Sequence, residues 1–442
     1  MQRFGRTATA FQVLSPGLAH WFDSGAEDRA GLVAYADTGA AWVAAGEPVS
    51  AVDDAIGVAA RFVDAAHAAG RRASFFGTEG ILASSPRFRR VQLGEQPVWD
   101  PRRWEDGLRT HRSLREQVRR ARAKGVDVRL VTNEALDADP ALRARLDAVV
   151  RHWLASRTMP PMHFLVAVTP LTWLAHRLLF VAERDGVPVG LLSLAPVPAR
   201  DGWLFEHLLR DPAAPNGTSE RLVDAAMRHL AAIGSPWATL GLAPLAGDVA
   251  PWLRWVRTLS RPLFNFNGLA AFKRKLGPQH WEAIYLVYPA ERSSAAALYD
   301  GLRAFAAGPL WRFGVRTALR GPRALLTALE RLLIPWTLLL ALAPVTPWFP
   351  SPSIKWAWVT FDVALYLLLG AVRRRDWLTG VRIAAAAVTA DAVLTMLQAA
   401  LWNVPRIGHW RDAMMVAVAC AGPLLTAPVL WGASRRMRAA TQ

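Results

Sequence analysis

The chain has 442 residues, with 52 Lys+Arg against 35 Asp+Glu, a formal charge of +17, and 52% hydrophobic against 20% charged residues. So apolar a chain can bury a core, which excludes long disorder, and a single cysteine, Cys420, excludes a disulfide scaffold and fits a reducing compartment. Apolar and basic together, it is expected to meet an anionic partner, either nucleic acid or a lipid surface.

Met1 to His20 lacks the continuous apolar core of a secretory signal. Leu32–Ala36 and Ala41–Ala45 read as paired strands about the turn Asp37-Thr38-Gly39. Asp53–Ala69 reads as an amphipathic helix closed by Gly70, with a strand at Ala73–Phe76. The same order returns later. Leu178–Glu183 and Pro188–Ala195 flank an Asp185-Gly186 turn, a strong hairpin signal. Gly202–Leu209 is a strand, Thr218–Ala232 a helix closed by Gly234, and Trp237–Leu240 a strand. The two helices share a short likeness, Arg61-Phe62-Val63-Asp64-Ala65-Ala66 beside Arg221-Leu222-Val223-Asp224-Ala225-Ala226. Two similar α/β units are expected, residues 1–107 and 156–310, joined by a basic helical linker over 108–155.

Within that linker, Arg112, Arg115, Arg119 and Arg122 follow i, i+3, i+7, i+10 spacing, which places four guanidinium groups on one helical face. Such a stripe can follow the phosphates of nucleic acid or of an anionic lipid, or simply be a solvated basic face. Lys273-Arg274-Lys275 forms a second basic cluster.

Arg210 to Glu220 links a strand to a helix. Asn216 or Thr218 can cap that helix, and the free N–H groups of its first turn, at Gly217 and Thr218, suit an anion or an oxyanion. Acetyltransferase-type folds hold a pyrophosphate in this way, but their Arg-x-x-Gly-x-Gly/Ala loop is absent here. Glu206 and Asp211 flank the loop, each a candidate general base or a holder of a substrate ammonium. Arg210, Lys273 and Lys275 are candidate phosphate ligands. No metal-ligand spacing and no nucleophile-elbow motif occurs, so no metal or cofactor is implied.

The apolar excess gathers after residue 331. Leu332–Ile354 and Ala413–Ser434 carry no charge; Trp356–Val372 and Ile383–Pro405 carry only Asp362 and Asp391. Four membrane spans within 311–442 are expected, the second the shortest. Arg316, Arg320, Arg323 and Arg331 precede them, Arg373, Arg374, Arg375 and Arg382 lie between spans two and three, and Arg435, Arg436 and Arg438 follow. Only Lys355, Arg406 and Arg411 lie opposite, so both termini are expected in the cytoplasm. Tryptophans such as Trp348, Trp356, Trp377 and Trp402 sit near span ends, as in an interfacial belt. Asp362 and Asp391 read either as a polar pathway or headgroup contact, or as protonated or paired acids holding the helices together.

Several ordered blocks carry a resemblance. Arg210 to Thr218 and Leu240-Gly241-Leu242-Ala243-Pro244-Leu245 are two. Phe264-Asn265-Phe266-Asn267-Gly268-Leu269 leads into Phe272-Lys273-Arg274-Lys275-Leu276, and Pro278, Trp281-Glu282 and Tyr285-Leu286-Val287-Tyr288-Pro289 follow. Ala45-Gly46-Glu47-Pro48-Val49 and Gly77-Thr78-Glu79 fit as well. Over roughly residues 20 to 290 the chain resembles the C-terminal catalytic domain of lysylphosphatidylglycerol synthases, also called multiple peptide resistance factors. The resemblance implies an α/β (α+β) architecture of tandem acetyltransferase-like folds, here followed by the four-helix membrane region. It implies transfer of an amino acid, of the lysine or alanine type, from aminoacyl-tRNA to a hydroxyl of phosphatidylglycerol at the inner membrane. It further implies Trp281, Glu282 and Tyr285 as substrate-binding residues, and the Arg112 to Arg122 stripe as the contact for tRNA or anionic lipid. Ile284, Ser219 and Met159-Pro160-Pro161-Met162 depart from the family pattern. Two other readings stay open: an acyl-CoA-dependent acyltransferase acting on a lipid or sugar, and a non-catalytic membrane-tethered module.

Overall fold

The computed structural model describes residues 2–23, 31–157, 159–259, 266–320, 322–346, 348–375 and 378–441. Phe264, Asn265 and Trp377 lie outside the described residues, as do the side chains of Arg320, Arg323, Arg373, Arg374, Arg375, Arg436 and Arg438. The chain divides into two compact units, Met1–Phe313 and Gly314–Gln442.

In the first unit the chain runs β1 (Ala19–Phe22), β2 (Leu32–Asp37), β3 (Ala41–Ala45), α1 (Ala55–Ala68), β4 (Arg72–Thr78) and β5 (Phe88–Trp99). It continues through α2 (Trp104–Thr110), α3 (Arg112–Ala123), β6 (Val126–Val131), α4 (Asn133–Ala138) and α5 (Pro140–Ala155). Then come β7 (Leu178–Arg184), β8 (Val187–Val197), β9 (Gly202–Arg210), α6 (Thr218–Ala232), β10 (Trp237–Thr239) and β11 (Ala243–Pro244). α7 (Pro251–Leu259), α8 (Phe266–Lys275), β12 (His280–Pro289) and α9 (Ser294–Ala306) complete it, and α10 (Leu310–Arg320) carries the chain across the boundary.

The expected duplication is present. β3 and β4 are parallel and joined by α1; β9 and β10 are parallel and joined by α6. The shared hexapeptide is the core face of each helix. Phe62, Val63 and Ala66 are buried on α1, as Leu222, Val223 and Ala226 are on α6. The spacing i, i+1, i+4 keeps these three on one stripe toward the sheet. The Asp185-Gly186 turn has φ of 53° and 75°, the left-handed pair that a tight hairpin between β7 and β8 requires.

The two halves do not form separate sheets. The order is β1-β2-β3-β4-β12-β5-β10-β9-β8-β7-β6, with β11 paired to β5. β12, late in the chain, lies antiparallel between β4 and β5, and β5 continues the sheet onto β10. Residues 108–155 hold α3, α4 and α5 and also β6, the edge strand beside β7.

The second unit packs α11 (Pro322–Leu342), α12 (Pro352–Arg375), α13 (Leu378–Gln398) and α14 (Trp410–Thr441) around Leu326, Leu369, Ala385, Val388 and Leu430. Among the described residues three helices are long and apolar enough to cross a membrane: Pro352–Val372, Leu378–Arg406 and Trp410–Arg435. This corrects the expectation of four. The uncharged run Leu332–Ile354 is divided between two helices, because α11 ends at Leu342 and α12 starts at Pro352. Pro344 and Pro350 cannot donate to a helical ladder, and Ser351 Oγ accepts from Ile354 N at 3.3 Å to open α12. The front half of α11 carries Arg323, Glu330 and Arg331, too many charges for a span. With three crossings instead of four, the flanking-charge argument no longer returns both termini to one side.

Candidate functional site

Among the described residues, three polar clusters of the first unit hold or adjoin the expected site residues. The first is built on a bulge in β9. The β8–β9 register shifts so that His207 faces Ser193 while Phe205 faces Leu194, and Glu206 is the extra residue. A bulge re-aims a side chain. The Glu206 carboxylate accepts from Arg177 and from Gln12 Nε2 at 2.9 Å. The Arg177 and Glu206 side chains are 3% and 6% exposed, so this is a buried ion pair. Burial alone would raise the Glu206 carboxyl; its charged and hydrogen-bonding neighbours outweigh this and hold it below the usual range. Burial pushes His207, 3.7 Å away, down to about 4, so it is neutral near pH 7 and Arg177 is the counter-charge.

The second cluster joins β4, β5 and β12. Glu282 on β12 sits directly opposite Gln96 on β5, and Gln96 Nε2 donates to Glu282 at 2.8 Å and to Glu79 at 3.3 Å. Arg200 donates to Glu79 and, at 3.3 Å, to both Glu282 oxygens. Glu47 Oε1 accepts the backbone N–H groups of Glu79, Gly80 and Ile81 at 3.1, 3.1 and 3.3 Å, and Arg6 donates to Glu47 at 3.2 Å. Three carboxylates therefore share two guanidinium groups. Burial, together with Glu47 and Glu282, pushes the Glu79 carboxyl up to about 7 against the pull of Arg200. One short segment touches both clusters: Ala8 N donates to Glu79 and Gln12 to Glu206.

Glu79 makes stability depend on pH. Its folded pKa lies above its unfolded value, so its contribution is full below about pH 4.5 and is lost as pH rises through about 7. Glu79→Gln is expected to raise the unfolding free energy read by urea titration above pH 8, by on the order of 2–3 kcal/mol, and to converge on the wild type near pH 5. A Gln variant less stable than the wild type at pH 8 would mean that the Arg200 pair outweighs burial.

The third cluster is a cleft of about 280 Å³ at the start of α6, lined by Gln117, Arg120, Lys124, Arg210, Asn216, Gly217 and Glu220. Gly217 has φ of +96°, and a Cβ there would meet the Gln117 carbonyl at 2.4 Å, so only glycine lets α3 pass so close. The Ser219 and Glu220 amides precede the first intrahelical bond, from Arg221 N to Gly217 O, and stay free of it. Arg210 donates to Asn216 Oδ1 at 3.3 Å, and Lys275 to Glu220 at 2.8 Å. Open amides amid Arg120, Lys124 and Arg210 suit a phosphate-sized anion.

The structure thus brings Arg210, Asn216 and Gly217 together, with Lys275 reaching them through Glu220. The other expected residues lie elsewhere. Asp211 accepts from His152 Nδ1 at 2.8 Å and from Ala213 N at 2.8 Å. Thr218 is fully buried and donates to Pro215 O at 2.7 Å, which leaves its hydroxyl no access to substrate. Lys273 is 4% exposed, and its Nζ donates to the carbonyls of Leu240, Gly241 and Leu242 at 2.7 to 2.9 Å. Its three donors are engaged, so the expected phosphate contact is not open to it. Burial pushes Lys273 down to about 7, an effect the three carbonyls oppose. Trp281 packs on Ala243, Ala246 and Ala270, Glu282 belongs to the second cluster, and Tyr285 lies under Arg90 at 4.6 Å. Arg112, Arg115, Arg119 and Arg122 are exposed on α3. Glu116 engages both Arg119 and the cleft residue Arg120, at 2.9 and 2.8 Å, while Arg115 turns back onto the carbonyls of Leu108 and Arg109.

Sequence reasoning passed over Arg177, Arg200, Gln12 and Gln96, whose partners are distant along the chain. Arg120 and Lys124 belong to the same basic stretch but not to the expected stripe; with Gln117 at i, i+3, i+7 they mark a second face of the same helix.

Paired strand–helix–strand halves on one sheet, each with a parallel strand pair, define a tandem acetyltransferase-like fold. The family model described as phosphatidylglycerol lysyltransferase, C-terminal, matches residues 1–288. The chain belongs to that family. The match stops short of Gly314, where the helical unit starts. The C-terminal domain of a candidate lysylphosphatidylglycerol synthetase from Agrobacterium fabrum is similar, at 25% identity and TM-score 0.58, over 69% of this chain and 93% of that one. L-PGS from Bacillus licheniformis shares the fold at 20% identity and TM-score 0.56, over 72% and 95%. An uncharacterized protein of Corynebacterium glutamicum is 24% identical over 298 residues, 63% of this chain; the chain spans 36% of that relative's length.

Proposed function

We propose that the chain moves an aminoacyl group from aminoacyl-tRNA to a hydroxyl of phosphatidylglycerol or a related anionic lipid. One observation carries the reading: the same sheet holds a cationic cleft at an open helix start and an acid-rich cluster of three carboxylates on two guanidinium groups. An aminoacyl-tRNA end presents the complementary pair, phosphate and ammonium. α7 supports a lipid acceptor, since Trp252 and Trp255 are exposed beside Arg254 and Arg257, the make-up of an interfacial helix. A tRNA donor places this unit on the cytoplasmic face of the inner membrane.

The ester is already activated, so no enzyme nucleophile is needed. The lipid hydroxyl attacks the ester carbonyl, the bond to the ribose oxygen breaks, and the hydroxyl proton passes through a base to the leaving ribose oxygen. Glu79, near 7, is matched to that proton transfer, better than Glu206, which its ion pair holds deprotonated and weakly basic. Glu282 takes the ammonium, and Arg120, Lys124, Arg210 and the α6 amides take phosphate. An acyl-CoA donor gains no support: the Arg-x-x-Gly-x-Gly/Ala loop that would hold its pyrophosphate is absent from the sequence.

The test is lipid analysis. Expressed in a host without aminoacylated lipids, the full chain is expected to yield a new ninhydrin-positive phospholipid, with transfer in isolated membranes abolished by RNase. RNase-insensitive transfer from acyl-CoA, or no new lipid, overturns the reading.

A further inference from the structure

The helical unit forms a half-open cavity of about 400 Å³, the size of a small-molecule site. Its walls are mainly Leu, Trp, Ala and Val side chains, among them Leu333, Trp336, Leu365 and Val388. Two carboxylates interrupt this lining, Asp362 on α12 and Asp391 on α13.

Asp362 is only 5% exposed, and its Oδ2 has no hydrogen-bond partner among the described residues. Asp391 Oδ1 accepts from Thr395 Oγ1 at 3.1 Å, a hydroxyl and not a cation. The neighbouring polar groups are engaged with one another. Trp358 Nε1 donates to Gln398 Oε1 at 2.7 Å, while Gln398 and Asn403 donate to the Trp348 carbonyl at 3.2 and 2.9 Å. Lys355 donates to the Ala343 carbonyl at 2.6 Å. Among the described residues no Lys or Arg is ion-paired with either acid. A carboxylate inside a membrane-spanning bundle is expensive unless a positive partner or a proton reaches it.

We infer that this cavity binds a lipophilic ammonium, a cationic amine carried on an apolar body. The ammonium sits at Asp362 and Asp391, and the body lies against the Leu and Trp walls, where indole faces add attraction for the cation. The apolar lining disfavours a hydrated metal ion, which needs several oxygen ligands. The cavity lies in the unit that the family match does not reach, and the inference does not rest on the proposed function.

The test uses the full chain in phosphatidylcholine nanodiscs and two fluorescent probes of equal chain length, a dodecylamine and a dodecanol. The amine is expected to bind saturably and at least tenfold more tightly than the alcohol. Asp362→Asn is expected to weaken the amine at least tenfold and to leave the alcohol unchanged. Equal binding of the two probes to the wild-type chain overturns the proposal; it would mean that Asp362 is simply protonated. That comparison needs no variant, so a misfolded Asp362→Asn would not obscure it. Amine affinity unchanged in a folded Asp362→Asn overturns it as well. Competition by stearylamine in the disc assigns the ligand to the bilayer, competition by soluble hexylamine assigns it to the aqueous phase, and competition by neither overturns the site.

Discussion

Arg177→Met is expected to lower the unfolding free energy by about 3–5 kcal/mol, the range for breaking one side of a buried ion pair. Arg177 and Glu206 are 3% and 6% exposed, so water cannot replace the lost partner. Gln12 still donates to Glu206, but one neutral amide does not balance a buried charge. Glu206 must then take up a proton, and stability falls further as pH rises. The double variant Arg177→Met, Glu206→Gln removes both charges and is expected to recover most of the loss. Urea unfolding of the full chain in detergent, followed by tryptophan fluorescence, reads both. A single-variant loss below about 1 kcal/mol would mean that the pair is more solvated than its exposure indicates.

The second large effect is on donor binding. With Arg120, Lys124 and Arg210 changed together to Gln, the apparent KM for aminoacyl-tRNA is expected to rise on the order of 100-fold near 0.1 M salt, with kcat little changed. Removing three phosphate-facing charges should also flatten the log–log salt dependence by about two units. Arg112 and Arg122, changed to Gln as a pair, probe the outer face of the same helix. If that pair flattens the salt slope and the triple variant does not, tRNA tracks the stripe and not the cleft.

Much of the fold was legible because it is local. The Asp185-Gly186 hairpin and the repeated helix face are set by neighbours within a few residues. β5 was not, because Arg89, Arg90 and Pro97 break the alternation that marks a strand. Its burial comes from β12 and β10, far off in the chain. The site divides the same way. Arg210, Asn216 and Gly217 share one loop and were found together. Arg177 and Arg200 meet carboxylates 29 and 121 positions away, a juxtaposition made only by folding. The membrane region shows the opposite error: Pro344 and Pro350 were in plain sight, but the lack of charge around them suggested one span where the chain builds two helix ends.

The place of β12 between β4 and β5 has a consequence for synthesis. When β5 leaves the ribosome, the strand that must lie beside it has yet to be made, about 180 residues later. At ordinary elongation rates that is roughly 10–40 s. During that interval the facing edges of β4 and β5 are unpaired, an invitation to wrong partners. Nascent chains arrested before β12 has left the ribosome should therefore engage chaperones and resist proteases poorly, while those long enough for β12 to have emerged should not. The enzyme-like unit cannot ripen half by half; it closes in one late step, shortly before the first apolar helices reach the membrane.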